Sequence, residues 1–363
     1  MGFSSIDLRR DVKKLERMYR NAESTEMKMK IIKEICNLSY SIGQCELSEY
    51  EHFCKEFVIE KGTTNIVTTG EILNLFFTVP KYRMHYKNVK FFNDSVYSTF
   101  KYDLFNIDDC KSKINLSKTD IYLAVEDFYK NIKPYICDYY KELHKNIDKM
   151  IKYSKDKSSD LSKQYSSTLL NKNYIELGLE GTSEDVLTSL IHELAHSIAC
   201  IINTKRADNN LFNFYEIESL FFETLSFDYF NKYFNDPYFK KLEMEKLCYY
   251  HLESNTILTL KKVYNEAYKK LNLTDDPLSL FNDLTCTNEN YKTYVDIDNS
   301  MTYLYSYIVS ISLLGRYKEN KEEAISDLLS ILNSECKEEE YETISQKFDK
   351  KMMIKYLKGL KNR

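Results

Sequence analysis

The sequence predicts a mainly α-helical, multi-helical fold whose sheet content is one small β-hairpin, and three observations carry that expectation. Gly and Pro number only 8 and 4 in 363 residues, so helix breakers are scarce and turn-rich sheet folds are disfavoured. Apolar residues recur at helical spacing along most of the chain, whereas strand-like alternation is clear in a single stretch. The 31 Tyr and 20 Phe, with no Trp, accompany many Lys, Asn and Ile, a mixture that biased base composition produces without selection for function. A chain of this length can bury a large core, in one domain or in several.

Leu8, Val12, Leu15 and Tyr19, then Ile31, Ile35, Leu38 and Ile42, place two amphipathic helices at the start. The stretch from Gly62 to Gly70 interrupts the pattern, and Pro80 to Asp109 reads as aromatic and irregular. From Thr119, the spacing of Ile121, Val125, Phe128, Ile132, Ile136, Tyr139, Leu143 and Ile147 predicts one long helix kinked at Pro134. A polar break at 155–159 closes this half. It sets an N-terminal helical lobe over 1–155 against a second region over 156–363, unless the two form one continuous domain.

Gln164 to Leu170 and Tyr174 to Glu180 flank the turn-like Asn171-Lys172-Asn173. Ile175, Leu177 and Leu179 alternate with Glu176, Gly178 and Glu180, so strands over 164–180 form a hairpin with one buried face. Thr182 is placed to cap a helix over 183–202, with Glu184 and Asp185 at its positive end. A polar loop at 203–210 leads to a helix over 211–235, and further helices follow.

The helix over 183–202 contains His192-Glu193-Leu194-Ala195-His196. Two imidazoles four residues apart lie one turn apart on one face, so both can reach a single metal ion while the intervening carboxylate approaches its bound water. A chain with six histidines meets this pattern by accident on the order of 1% of the time. Catalytic zinc takes three protein ligands and leaves a fourth position to water. On the next helix, Glu216 and Glu223 are two turns apart and share a face among Tyr215, Leu220, Phe221 and Phe222, whereas Glu218 is expected to point the opposite way. A carboxylate on an apolar side needs a partner to offset its desolvation, and a metal with its histidines is one. Glu216 is therefore the expected third ligand of one Zn2+ ion per chain, and Glu223 the acceptor that fixes a ligand ring.

Net charge is −4 with both signs interspersed, so no long-range field gathers nucleic acid or an anionic membrane, and neither is expected as a partner. No apolar segment follows Met1-Gly2-Phe3, and the longest apolar stretch, Tyr303 to Leu314, is too short to span a bilayer. A soluble, cytoplasmic protein is expected, with no oligomeric state legible. Nine cysteines without a C-x-x-C pair read as free thiols, mostly buried ones such as Cys200, in a reducing compartment. The other histidines, His52, His85, His144 and His251, stand isolated and are expected on the surface or in the core.

The ordered run Tyr174-Ile175-Glu176-Leu177, Gly181-Thr182, Asp185-Val186 and Thr188-Ser189-Leu190-Ile191-His192-Glu193-Leu194-Ala195-His196-Ser197 resembles the active-site block of the oligoendopeptidase F and thimet oligopeptidase family of zinc metallopeptidases. Glu216-Ile217-Glu218-Ser219 is similar to the family's E-I-A-S segment, which carries the third zinc ligand, and Glu223 matches a family glutamate seven residues on. Met301-Thr302-Tyr303-Leu304-Tyr305-Ser306-Tyr307 is similar to the family's F-Y-x-Y-x-Y segment, whose tyrosines donate hydrogen bonds to the tetrahedral intermediate. Helical phase sets Tyr303 and Tyr307 on one face and Tyr305 off it, so Tyr307, then Tyr303, are the candidates for that donor. The chain departs from the family in three respects. Residues 294–300 hold no histidine, Ser300 stands where a tyrosine is expected, and the length is well below that of typical members. His251 is the substitute donor to consider.

The resemblance implies a two-lobed, zincin-like metallopeptidase that takes oligopeptides into a channel between helical lobes rather than folded proteins. In that reading, Glu193 is the general base for a metal-activated water. The exposed edge of the 174–180 strand, with Tyr174, Glu176, Gly178 and Gly181, would bind an extended peptide by main-chain pairing. Two alternatives stand beside it: a catalytically weak or silent relative that binds peptides or regulates, and an HExxH peptidase dedicated to one protein partner.

Overall fold

The computed structural model describes residues 80–101, 110–153, 163–167, 172–177, 182–203, 216–270, 290–334 and 341–363, with isolated positions between 11 and 31. Its elements run α1 Pro80–Phe100, α2 Lys118–Ile132, α3 Pro134–His144, α4 Ile147–Met150, β1 Ile151–Tyr153, β2 Lys163–Ser167, β3 Lys172–Leu177, α5 Ser183–Ile202, α6 Glu216–Phe234, α7 Tyr238–Lys270, α8 Asn290–Glu319, α9 Lys321–Leu332, α10 Tyr341–Ser345 and α11 Lys350–Lys361. The fold is mainly α, as the scarcity of breakers implies. Most of the two helices expected over 8–42 lies outside the described residues.

The chain forms two compact units, each drawn from separated stretches. The first gathers Met1–Cys54, Asp109–Leu242 and Ile325–Glu340, and the second gathers Lys55–Asp108, Glu243–Ala324 and Tyr341–Arg363. The boundary expected at 155 thus falls inside the first unit, because the chain passes between units repeatedly instead of once.

In the first unit, the long helix expected from Thr119 is two helices. Lys133 is extended (φ −159°, ψ 143°) ahead of Pro134, whose ring disfavours helical geometry in its predecessor, and Pro134 sits in the first turn of α3. At the start of α2, the Ser117 side chain accepts from the Asp120 backbone N–H while the Asp120 carboxylate accepts from the Ser117 N–H. The sheet order is β1-β3-β2. β2 runs antiparallel to β3, with Tyr165 opposite Tyr174, and β1 runs parallel to it, with Ile151 opposite Ile175 and Tyr153 opposite Leu177. Ile175 and Leu177 are buried, as alternation requires, and the β2–β3 pair packs on α5. β3 is therefore the central strand, and the exposed edge expected along 174–180 is corrected over 174–177, where β2 pairs one side as far as 176 and β1 the other from 175, while 178–180 lie outside the described residues. Three residues of β1 are too few to show a period, so this third strand had no legible signal.

α5 begins at a second capping box. The Thr182 side chain accepts from the Asp185 N–H, and the Asp185 carboxylate accepts from the Thr182 N–H at 2.8 Å. Leu187, Leu190, Ile191, Leu194, Ala195 and Ile198 of this helix are fully buried. By length and composition α5 is the one described helix able to cross a membrane, a test that Tyr303–Leu314 was expected to come nearest to meeting. Its apolar window is 61% buried within the protein, which makes it a core helix. α6 packs against α5 and has buried residues on every side, Ile217 through Phe222 among them. The Tyr129 hydroxyl of α2 donates to the Ile191 carbonyl at 3.3 Å, and its ring stacks on Tyr140 and meets Phe222 edge-on.

In the second unit, α1 occupies the stretch expected to be irregular. Val89, Phe92, Val96 and Phe100 bury one face at helical spacing, a period that the surrounding aromatics obscured. α8 packs closely on α11: a Cβ added at Gly315 would stand 1.9 Å from the Met352 carbonyl oxygen. The Ser312 hydroxyl fastens the start of α11, accepting from the Asp349 N–H at 2.7 Å. Among the described cysteines all are free; Cys137 is buried, whereas Cys200, expected inside, is partly exposed with Cys110 and Cys248.

Candidate metal centre

His192 and His196 project from consecutive turns of α5, with ring centroids 5.0 Å apart and planes at 80°. Their Nε2 atoms converge on one oxygen of Glu216, the first residue of α6: His192 Nε2 lies 3.2 Å and His196 Nε2 3.5 Å from Glu216 Oε2. Donors held about 2.1 Å from one zinc ion at tetrahedral angles lie about 3.4 Å from one another, so these residues fit a shared cation. Ligand atoms from the three residues all fall within 4.8 Å of one another. The Ser219 hydroxyl stands 3.0 Å from Glu216 Oε2, placed to orient it.

Both rings are also backed through Nδ1. Glu223 Oε2 lies 2.8 Å from His192 Nδ1, the contact expected of it. Glu218 Oε1 lies 3.6 Å from His196 Nδ1, a charge-pair separation longer than a hydrogen bond. Advancing from His192 to His196 moves back from Glu223 to Glu218, so α5 and α6 run antiparallel. Glu218 is fully buried, not turned away as helical phase suggested. Phase assigns a solvent side only to a helix that has one, and the apolar run Leu220-Phe221-Phe222 beside Ile217 was the signal that α6 has none over 217–222.

Four carboxylates thus surround two imidazoles in a poorly solvated site. Burial disfavours the charged form of His192, but hydrogen bonds to Glu216 and Glu223 outweigh it and push its pKa up to about 9. For His196 burial likewise opposes protonation, and the negative charges of Glu216 and Glu218 beside the ring hold its pKa well above the usual value. Glu216 is held well below the carboxylate range, since the two histidines overcome its burial. Glu193, between the histidines and itself buried, is raised by desolvation against the lowering effect of both rings.

The tyrosine candidates lie on α8 in the second unit. Tyr307 is fully buried, stacked on Tyr250 at 4.2 Å and edge-on to Phe92. Tyr303 and Tyr307, four residues apart, share a face of α8 as expected, but they differ in environment: Tyr303 is 40% exposed, whereas Tyr307, like Tyr305, is fully buried, because α8 is enclosed all round from Leu304 to Gly315. His251 is buried between α7 and α1, where Asn93 Nδ2 lies 3.4 Å from its Nδ1. Of the proposed peptide-binding residues, Tyr174 and Glu176 are placed only as backbone in β3, and Gly178 and Gly181 lie outside the described residues.

Neither a protein-family model nor a curated protein matches the chain. Two solved structures resemble it. One is described as PZ peptidase A with an inhibitor: 13% identity, a TM-score of 0.50, and coverage of 97% of this chain and 70% of that one. The other is a Bacillus anthracis str. Ames protein described as an oligoendopeptidase F: 12% identity, a TM-score of 0.47, and coverage of 93% of this chain. The chain spans 63% of the length of that second protein. The likeness to PZ peptidase A is one of fold, and it agrees with the multi-helical metallopeptidase architecture implied by the sequence.

Proposed function

We propose that the chain is a zinc-dependent endopeptidase that hydrolyses peptide bonds in short, extended oligopeptides. The observation that carries the reading is the convergence of both Nε2 atoms on Glu216 Oε2 with Glu193 buried beside them. A zinc ion held by His192, His196 and Glu216 would supply an acidified water and an electrophile for the scissile carbonyl. Glu193 would accept a proton at its carboxylate and return it to the leaving amine, a role that its raised proton affinity suits. Glu223 holds the His192 ring by its Nδ1, and the scarcity of water around the four carboxylates strengthens each of these interactions. Tyr307 and Tyr303 remain the donors assigned to the tetrahedral intermediate. With both sides of β3 engaged, an extended substrate that pairs with this sheet would do so along β1 or β2.

The fold shared with PZ peptidase A supports peptide-bond chemistry, and the interspersed charge and free thiols support a cytoplasmic enzyme without nucleic-acid or membrane partners. The burial of Tyr307 in an aromatic stack favours one second reading, a catalytically weak or silent peptide-binding relative. Incubating mixed peptides of ~6–15 residues with wild type and with Glu193→Gln separates the two, because the substitution removes the proton acceptor and leaves the ligands. Cleavage by wild type, lost in the variant at unchanged zinc content, is the expected result. No turnover by zinc-loaded wild type would leave the binding reading standing. Selective cleavage in a cell lysate without turnover of generic peptides would identify a peptidase dedicated to one protein.

A further inference from the structure

We infer that Glu218 is a positioning residue for His196, doing for the second ligand ring what Glu223 does for the first. The inference rests on the metal centre proposed above and adds a residue to it. Glu218 is fully buried, and His196 Nδ1 stands 3.6 Å from its Oε1. The Nε2 of the same ring is turned toward Glu216, so Nδ1 faces away from the shared ligand position. A carboxylate there selects the tautomer with its proton on Nδ1 and leaves the Nε2 lone pair for a metal. α6 then carries one ligand and both ring anchors, while α5 carries both imidazoles and Glu193. Because the separation exceeds a hydrogen bond, Glu218 acts mainly through its charge, unlike Glu223 at 2.8 Å.

The test is Zn2+ affinity by competition with a chromophoric chelator, for wild type, E218A, E218Q and E223A, together with the absorption spectrum of the Co2+-loaded proteins. E223A serves as the reference for loss of a ring anchor. E218A and E223A are each expected to bind Zn2+ about 10–100-fold more weakly than wild type. E218Q should fall between, by about fivefold or more, since an amide keeps an oxygen dipole beside Nδ1–H but carries no net charge. The cobalt bands should shift in both Glu218 variants, which a purely structural role would not cause. Affinity within about twofold of wild type and an unaltered cobalt spectrum in E218Q would overturn the inference, and this near-isosteric variant decides the matter if E218A does not fold. A wild-type chain that takes up no Zn2+ overturns the metal centre and this inference together; tight binding by wild type and by both variants overturns this inference alone.

Discussion

Among the described residues, Glu216 is the one whose single oxygen lies against both imidazoles, at 3.2 and 3.5 Å, and the consequence of its loss is correspondingly specific. Glu216→Gln should weaken zinc binding by at least ~10-fold, measured as metal content after dialysis, and wild-type content in the variant would remove it from the ligand set. The residues of this centre that sequence spacing could reach were those one or two helical turns apart: His192 with His196, and Glu216 with Glu223. Glu218 escaped that logic because a two-residue step rotates a side chain through more than half a turn, which matters only if the far side meets water. Ser219 escaped it too, since nothing in a serine's identity tells whether its hydroxyl orients a neighbouring carboxylate. The tyrosines show the limit of the same logic, since phase puts Tyr303 and Tyr307 on one face of α8 without telling that packing encloses Tyr307 and leaves Tyr303 40% exposed.

At the level of elements, two glycines make opposite predictions. Gly315→Ala forces a methyl group onto the Met352 carbonyl oxygen, and backbone cannot yield as a side chain can. The expected cost is about 1–3 kcal/mol, seen as a lower denaturation midpoint. Gly359→Ala in α11 meets nothing nearer than the Lys318 Nζ at 4.0 Å, and should stabilise by about 0.5–1 kcal/mol through helix propensity. Identical effects from both substitutions would refute the close approach of α8 and α11. The link between α1 and α7 should be sensitive to acid. Burial holds the His251 pKa below its ordinary 6.5, so on acidification the unfolded chain takes up this proton first. The stability it contributes is complete above pH 6.5 and declines as the pH falls from 6.5 toward the folded value. His251→Asn should flatten the loss of thermal stability between about pH 7 and 5 relative to wild type, a difference that cancels contributions from the other histidines. Parallel pH profiles for the two proteins would contradict it. Elements themselves were legible where a period or a breaker existed: Pro134 marked a boundary, although its effect was to end a helix instead of bending it.

For the whole molecule, binding of a metal to the folded form alone links occupancy to stability. Zinc at about 100 times its dissociation constant should add about 2.7 kcal/mol, so treatment with a chelator should lower the thermal midpoint of wild type, and lower that of Glu216→Gln by about half as much or less, since a site ~10-fold weaker gains only about 1.4 kcal/mol at the same zinc concentration. An unchanged wild-type midpoint would count against a resident ion. The helical class of the fold could be read from composition and periodicity, but its partition could not. A contiguous split at 155 is the simplest division of a linear pattern, whereas each unit here is closed by stretches far apart in sequence, whose pairing leaves no periodic trace. The candidate metal centre is the exception to this long-range assembly. Both imidazoles, their carboxylate partners and Glu193 occupy two successive antiparallel helices, so contacts of short sequence separation complete the cradle. During synthesis α5, long and apolar enough to cross a membrane, is followed at once by the helix that packs against it, so its natural neighbour emerges before α7 through α11 exist.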